Sequence, residues 1–242
     1  RRTEKVVCRA LETELDSLYG GGFHMIVYVN KVEYAEHIAL VKGDVAGPEP
    51  VLVRMHALNV LEDVLGADLV AGALGMGPLT SADELAVALE RYRTTLLEPI
   101  ELPTLTKARR LASHGRTKEL IALDQNFLGN HPEWLPLSTG STRFGRDYLS
   151  RLRPLRDERV VQRMLEAVQA GKTPGHHLIV FGLTMAIYAI PERQGLADYA
   201  QGALAAVIAS AAGKLDLTQE DRAELLAPSQ AHLPSAISRM VA

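Results

Sequence analysis

The sequence predicts an α+β protein organised by segment, in which a small β-containing N-terminal piece precedes a larger all-α helical domain. Residues 23–56 contain three short runs of β-branched and aromatic residues, which are typical of strands. After residue 67, helical spacing of apolar residues and helix start and stop signals continue almost to the end. The charge also changes there, because residues 1–67 hold 7 Lys/Arg and 10 Asp/Glu, whereas residues 68–242 hold 19 of each.

The composition excludes several classes of protein. With 242 residues, 47% hydrophobic and 23% charged, the chain can bury a substantial core and is not disordered. A net charge of −3 does not favour nucleic acid or an anionic membrane as partner. The longest apolar run, residues 178–190, is shorter than the roughly 20 residues of a membrane span. Cys8 is the single cysteine, which fits a cytoplasmic location and predicts no multi-cysteine metal site.

The N-terminal piece is predicted to begin with a helix over residues 3–18, because Val6, Val7, Ala10 and Leu11 have helical spacing. Three glycines at 20–22 would end it. Strands are then expected at residues 23–29, 36–41 and 50–56, and a helix is expected to start at Asn59.

The remaining elements are expected to be helices. Ser81-Ala-Asp-Glu84 is a capping-box pattern that introduces the first of them, and Pro99 is expected in a loop. Pro103 suits the first turn of the next helix, and Pro228 is expected to end the last. The predicted helices span residues 85–97, 103–114, 116–128, 137–152, 157–170, 176–190, 195–212 and 218–227.

The predicted strand at 50–56 carries Arg54 and His56 near its end. Two such side chains can hold a phosphate, although alternation along the strand also allows both to lie on a solvated face. Residues 23–28, 36–44 and 51–56 resemble the opening of GTP cyclohydrolase II. Residues 3–18 resemble the end of the preceding dihydroxybutanone-phosphate synthase domain in the bifunctional riboflavin biosynthesis enzyme. The resemblance implies that Arg54 and His56 bind nucleotide.

This segment departs from the cyclohydrolase family where that family holds zinc. The family continues Arg-x-His with Ser-Glu-Cys and further zinc cysteines. Here Ala57 and Leu58 follow His56, and Asn59 stands where the first zinc cysteine would be. Since zinc activates the attacking water in such chemistry, we expect no cyclohydrolase turnover, no catalytic residues and no resident metal or cofactor.

Two features of the helical part can be interpreted in two ways each. Seven arginines between 143 and 163 outnumber three acidic residues, which indicates either a solvated helical face or a docking surface for an acidic protein partner. We expect Arg143, Arg146 and Arg151 to contribute to such a surface. The small-residue stretch at 202–212 is either a tightly packed core helix or a helix–helix seam of a homodimer. His176 and His177 are interpreted as helix-end histidines, because neighbours on a helix point about 100° apart.

Several short motifs in the helical part resemble the urease accessory protein UreF family, over about residues 76–228. They are Glu101-Leu102-Pro103, Leu123-Asp124, Ser141-x-x-x-Gly145-Arg146, His176-His177 with Gly182, Ile190-Pro191 with the helix from Tyr199, and Leu217-x-Gln219 with Leu225-Leu226. Their order and spacing carry the resemblance.

The UreF resemblance implies an all-helical, non-catalytic scaffold. Such proteins work with a second urease accessory protein and a nickel-carrying GTPase to load urease with nickel. The sequence therefore predicts two domains, a cyclohydrolase-like fragment at residues 1–67 and a UreF-like domain at residues 76–242. The alternative is a degenerate GTP cyclohydrolase II relative that binds GTP without turnover.

Overall fold

The computed structural model describes residues 7–17, 21–30, 36–43, 45 and 65–241. The chain divides into two compact units, Arg1–Ala57 and Leu58–Ala242. The first contains a small sheet, and the regular elements described in the second are all helices. The α+β organisation that the sequence predicts is confirmed.

The N-terminal unit contains a three-stranded antiparallel sheet in the order β1-β2-β3. Its strands are β1 (Val7–Ser17), β2 (Gly21–Asn30) and β3 (Glu36–Val41). The predictions for β2 and β3 are confirmed. The predicted strand at 50–56 and the helix start at Asn59 lie outside the described residues.

The predicted helix over residues 3–18 is wrong where the structure describes it, because Val7–Ser17 is a strand. This strand pairs with β2 along its length, from Val7 opposite Asn30 to Ser17 opposite Gly21. The register shifts between Arg9 and Leu11, so one extra residue is accommodated there as a bulge. Non-local pairing with β2 therefore overrides the local apolar spacing.

The helical unit contains ten α-helices, a π-helix and a 3₁₀-helix within residues 65–241. The α-helices are α1 (Ala67–Ala73), α2 (Ala82–Tyr92), α3 (Leu102–Ser113), α4 (Thr117–Gln125), α5 (Phe127–Asn130), α6 (Ser138–Arg151), α7 (Arg159–Gln169), α8 (His177–Ile187), α9 (Glu192–Ala212) and α10 (Gln219–Val241). The 3₁₀-helix spans Pro132–Leu137. Within the described part of the chain, no helix is both long and apolar enough to cross a membrane.

The loop predicted around Pro99 is wrong, since a π-helix spans Arg93–Glu101 and joins α2 to α3. Proline has no N–H to donate, and the wider turn of a π-helix accommodates it without ending the helical path. Pro103 lies in the first turn of α3, as predicted. The segment matters for the site because it places Glu101 in the interior.

The predicted end of the last helix at Ala227 is also wrong. Helix α10 continues to Val241 and contains both Pro228 and Pro234. Ser229, Leu233 and Ile237 are buried after the first of these prolines. Burial of the apolar side chains Leu233, Ala236 and Ile237 stabilises the continuation and offsets the backbone hydrogen bonds that proline removes.

The core of the helical unit includes α8, in which eight of eleven residues are buried. Helix α8 packs closely on α3, and Gly182 makes this approach possible. A Cβ atom at Gly182 would lie 2.6 Å from the Cβ of Ala108 and 2.9 Å from the carbonyl oxygen of Leu105. In α9, Ala203, Ala206 and Ala211 are buried. The small-residue stretch at 202–212 is therefore a packed core helix.

Candidate functional site

The first predicted site residues, Arg54 and His56, lie outside the described residues. Nucleotide binding through Arg54 and His56 stays a prediction.

The predicted partner-binding residues lie together on one helix. Arg143, Arg146 and Arg151 all belong to α6 and are all exposed. The Nε of Arg146 also donates a hydrogen bond of 2.8 Å to the carbonyl oxygen of Pro174. This arginine therefore ties α6 to the loop that leads into α8.

The positive surface extends beyond α6. Four further arginines are exposed in the segment after α6 and on α7; they are Arg153, Arg156, Arg159 and Arg163. Within the described residues, none of these four forms an ion pair with a carboxylate. We call the seven residues Arg143, Arg146, Arg151, Arg153, Arg156, Arg159 and Arg163 the arginine surface. All seven residues of this surface are exposed.

In the interior of the helical unit, the structure reveals a buried polar network that the residue patterns did not predict as a unit. At one end lies Glu101, which has no exposed area. Its Oε2 accepts hydrogen bonds from the phenols of Tyr92 at 2.7 Å and Tyr199 at 3.0 Å. Its Oε1 accepts a bond of 3.0 Å from the indole Nε1 of Trp134. Burial raises the pKa of Glu101, while these three hydrogen bonds act in the opposite direction.

The network continues from Tyr199 to the adjacent histidines. Because Tyr199 donates its proton to Glu101, its oxygen can accept one from the Nε2 of His177, 3.0 Å away. The Nδ1 of His177 is then free to accept from Ser141 Oγ at 2.9 Å. Burial lowers the pKa of His177 to about 3, so this histidine is neutral at pH 7. A neutral ring matches this donor and acceptor pattern.

Aromatic packing holds these polar groups in place. The His177 ring stacks between those of Trp134 and Tyr199, at centroid distances of 5.7 and 5.9 Å. Phe127 contacts Trp134 edge-on at 5.1 Å and also packs against His176. These rings exclude water from the hydrogen bonds, which strengthens them and makes an unpaired group costly.

A second buried carboxylate, Asp124, organises the loop that leads into α8. It accepts hydrogen bonds from Thr173 Oγ1 at 2.5 Å, from the Gly175 N–H at 2.6 Å and from the His176 N–H at 2.8 Å. The loop also passes very close to α6. A Cβ atom at Gly145 would lie 2.1 Å from the Gly175 carbonyl oxygen, so only glycine allows this approach.

His176 and His177 lie at the start of α8, as their interpretation as helix-end histidines predicts. Both are nonetheless buried. Ser141 Oγ lies 3.3 Å from the Nδ1 of His176, and the Nε2 of His176 has no hydrogen-bond partner within the described part of the chain. The described residues contain no group of three or more His, Cys, Asp and Glu side chains that could hold a metal ion. His177 links α8 to α6 and α9 through its contacts with Ser141 and Tyr199.

The geometry explains the spacing of the motifs. In Ser141-x-x-x-Gly145-Arg146, the serine bonds the buried histidine, the glycine admits the loop, and the arginine bonds the loop carbonyl. Glu101, Asp124, His177 and Gly182 each make a buried polar or close-packed contact between elements distant in sequence. Sequence reasoning missed the roles of Tyr92 and Trp134, because neither lies in a motif that distinguishes it from an ordinary core aromatic.

The helical unit therefore has a buried polar network in its interior and an exposed cationic surface on α6, on α7 and between them. The family model for UreF matches residues 79–229, which is more than half of the chain. The chain therefore belongs to the UreF family of urease accessory proteins, and this membership supports a urease accessory role.

The N-terminal segment has different relatives. The family model for GTP cyclohydrolase II matches residues 8–71. Over 67 residues, the chain is 46% identical to the riboflavin biosynthesis protein RibBA of Bacillus mycoides and 45% identical to that of Bacillus cytotoxicus. These alignments cover 28% of this chain and 17% of each relative. The chain thus matches less than a fifth of the length of these relatives. The resemblances to UreF and to GTP cyclohydrolase II that the sequence predicts are both confirmed.

No solved structure matches the chain.

Proposed function

We propose that this chain is a non-catalytic scaffold for urease maturation, which supports nickel insertion by binding a nickel-carrying GTPase and a second urease accessory protein. The observation that carries the proposal is the UreF match over residues 79–229. The motif residues within that match also make the buried contacts that hold the helices together. A cytoplasmic location fits this role.

The arginine surface is our candidate for the contact with a partner. Arg143, Arg146 and Arg151 are exposed on a helix that the buried network fixes in position. A rigid cationic face suits an acidic protein surface, because complementary charge speeds association and fixes orientation.

The test is a mixing experiment by size-exclusion chromatography with light scattering. The full chain is combined with the nickel GTPase and the second accessory protein, with and without GTP. We expect a co-eluting complex. If neither protein binds under either condition, the scaffold proposal is wrong.

The arginine surface is tested in the same assay with Arg143→Glu combined with Arg151→Glu. Arg146 is left unchanged because it bonds the Pro174 carbonyl. We expect about tenfold weaker binding at low salt and a smaller difference at high salt. The control is Lys118→Glu with Lys172→Glu, which also reverses two charges but at exposed residues outside the arginine surface. It should leave binding intact. Equal affinity of the arginine variant and the wild type would exclude this surface.

A second candidate function is GTP binding without turnover by the N-terminal segment. The match of residues 8–71 to GTP cyclohydrolase II favours it. We propose residues 1–67 and 76–242 as separate domains, with Arg54 and His56 as the nucleotide-binding residues. Calorimetric titration of GTP into the full chain and into Arg54→Ala with His56→Ala tests this. Saturable binding that the double variant loses supports the candidate, and no heat of binding contradicts it.

A homodimer also remains a proposal. The burial of Ala203, Ala206 and Ala211 within the chain's own core removes the small-residue stretch as its seam. The light-scattering mass of the chain alone provides the test: twice 26.3 kDa supports a dimer, and 26.3 kDa contradicts it.

A further inference from the structure

The helical unit contains a groove, on α3 and α4, that neither the buried network nor the arginine surface uses. Its cavity volume is about 920 Å³. One wall follows α3 and the residue after it, from Pro103 to His114, and another follows α4 and its flanking residues, from Arg116 to Asn126. At 1.5 Å per residue, the α3 wall is about 16 Å long, which corresponds to three turns of a helix.

The floor of the groove is apolar and adaptable. Leu111 is buried, while Ala122 and Leu123 are half-buried. Met240, near the end of α10, also lines the groove and is half-buried. A methionine side chain is flexible and polarisable, and it adjusts readily to the shape of an incoming apolar group.

The floor also contains an unsatisfied polar atom. Thr106 lines the groove and is only 8% exposed, and its Oγ1 has no hydrogen-bond partner within the described residues. Such a hydroxyl is rare in a folded interior, because an unpaired buried polar group costs free energy. A polar group of an occupant could restore the missing hydrogen bond after a small rotation of the side chain.

The rim of the groove is positively charged. Its charged lining residues are three cations, Lys107, Arg110 and Arg116, and one carboxylate, Glu119. Arg110 pairs with Glu192 at 3.1 Å, and Arg116 pairs with Glu119. Lys107 is exposed and forms no ion pair or hydrogen bond within the described part of the chain. An excess of positive charge borders this groove although the whole chain carries −3.

We propose that this groove binds an amphipathic helix of a partner protein, whose apolar stripe lies on Leu111, Ala122 and Met240 and whose acidic flank faces Lys107. A helix laid in a groove between two helices is a common mode of peptide recognition, with affinity from the apolar anchors and orientation from the charges. This inference rests on the proposed scaffold function, because that function requires a protein partner that could supply the helix. It names a second contact, separate from the arginine surface.

The test uses the full chain and a fluorescein-labelled 16-residue peptide with leucines at i, i+4, i+7 and i+11 and glutamates on both flanks. A control peptide has the same leucines and lysines in place of the glutamates. Fluorescence anisotropy measures both affinities at 50 and 300 mM NaCl. We expect the acidic peptide to bind at least tenfold more tightly than the basic one and to weaken as salt rises.

Two variants locate the binding. Lys107→Glu should weaken the acidic peptide about tenfold, whereas Lys118→Glu, with the same charge change at an exposed residue outside the groove, should not. Ala122→Trp should block the groove sterically without altering charge. Circular dichroism checks that each variant remains helical. The proposal is overturned if the acidic peptide does not bind at 1 mM. It is also overturned if Lys107→Glu and Ala122→Trp both bind that peptide as tightly as the wild type does.

Two further measurements separate this proposal from its alternatives. Inorganic pyrophosphate is titrated against the bound peptide; displacement at micromolar concentration would show a small-anion site and would also overturn the helix proposal.

The variants are then mixed with the nickel GTPase and the second accessory protein. Peptide binding without either protein complex refutes the proposed function alone, and a protein complex without peptide binding refutes the groove alone.

Discussion

The phenol of Tyr199 donates a hydrogen bond of 3.0 Å to Glu101, a carboxylate 98 positions earlier in the chain and without exposed area. The same phenol lies 3.0 Å from the Nε2 of His177. One tyrosine therefore connects the π-helix, α8 and α9. A buried carboxylate with three donors is costly to bury and costly to disturb, so it specifies one arrangement of the helices around it.

We predict that Glu101→Gln destabilises the helical unit by about 2 kcal/mol. Both carboxylate oxygens accept hydrogen bonds, and the glutamine amide places a donor where one of them stood, facing a phenol or indole that also donates. Trp134, the single tryptophan, bonds Glu101 directly, so its fluorescence in urea unfolding reports the change.

The matched control is Glu166→Gln on α7, where the side chain is exposed. It should change the free energy of unfolding by less than about 0.5 kcal/mol. Equal unfolding midpoints for the two variants would contradict the role assigned to Glu101.

We predict that Gly182→Ala destabilises the helical unit by about 1–3 kcal/mol, because the added methyl overpacks the contact between α3 and α8. The new Cβ would lie 2.6 Å from that of Ala108. Gly72→Ala serves as the control, since a Cβ there meets nothing within 4 Å and alanine favours the helix. Thermal unfolding should show a lower Tm for the first variant and an unchanged or higher Tm for the second.

Local patterns in the sequence predict most helices of the second unit. The capping box illustrates why: Ser81 accepts a hydrogen bond from the Glu84 N–H, and both residues lie within four positions. The errors occur where distant contacts decide the structure. Pairing with β2 makes Val7–Ser17 a strand, and burial of Leu233 and Ile237 continues α10 past Pro228.

The candidate site shows the same limit. Sequence patterns predict the exposed arginines of α6, because charge runs usually face solvent. They do not predict that Ser141, His177, Tyr199 and Glu101 form one chain of hydrogen bonds, since these residues come from four different elements. Only the packing of the helices brings each of these side chains to 2.9 or 3.0 Å from the next.

We predict that the stability of the N-terminal sheet falls as pH rises through the pKa of His24. This ring lies between Glu14 at 2.8 Å and Glu12 at 2.5 Å, and hydrogen bonds to these carboxylates raise its pKa above 6.5. The folded sheet therefore binds the proton more tightly than the unfolded chain. The stabilisation is complete below about pH 6.5 and is lost above the raised pKa.

Amide hydrogen exchange of β1 and β2 between pH 6 and 9, corrected for the intrinsic exchange rate, measures this effect. Arg9 also pairs with Glu12, so the variant must leave that pair intact. His24→Gln does so and should flatten the profile. A wild-type profile that is already flat would contradict the prediction.

We predict the opposite pH dependence for the helical unit. Burial lowers the pKa of His177 to about 3, so the unfolded chain binds the proton more tightly than the folded one between about pH 6.5 and 3. Burial lowers the pKa of His176 as well, so the two histidines act in the same direction. The free energy of unfolding should therefore decrease below pH 6.5, by up to about 1.4 kcal/mol per pH unit for each histidine. Urea unfolding midpoints from Trp134 fluorescence at pH 7, 6, 5 and 4 measure this decrease. The variant His177→Asn should be less stable at pH 7, but its free energy of unfolding should fall less steeply with decreasing pH. A variant whose slope equals that of the wild type would show that His177 titrates as an ordinary exposed histidine.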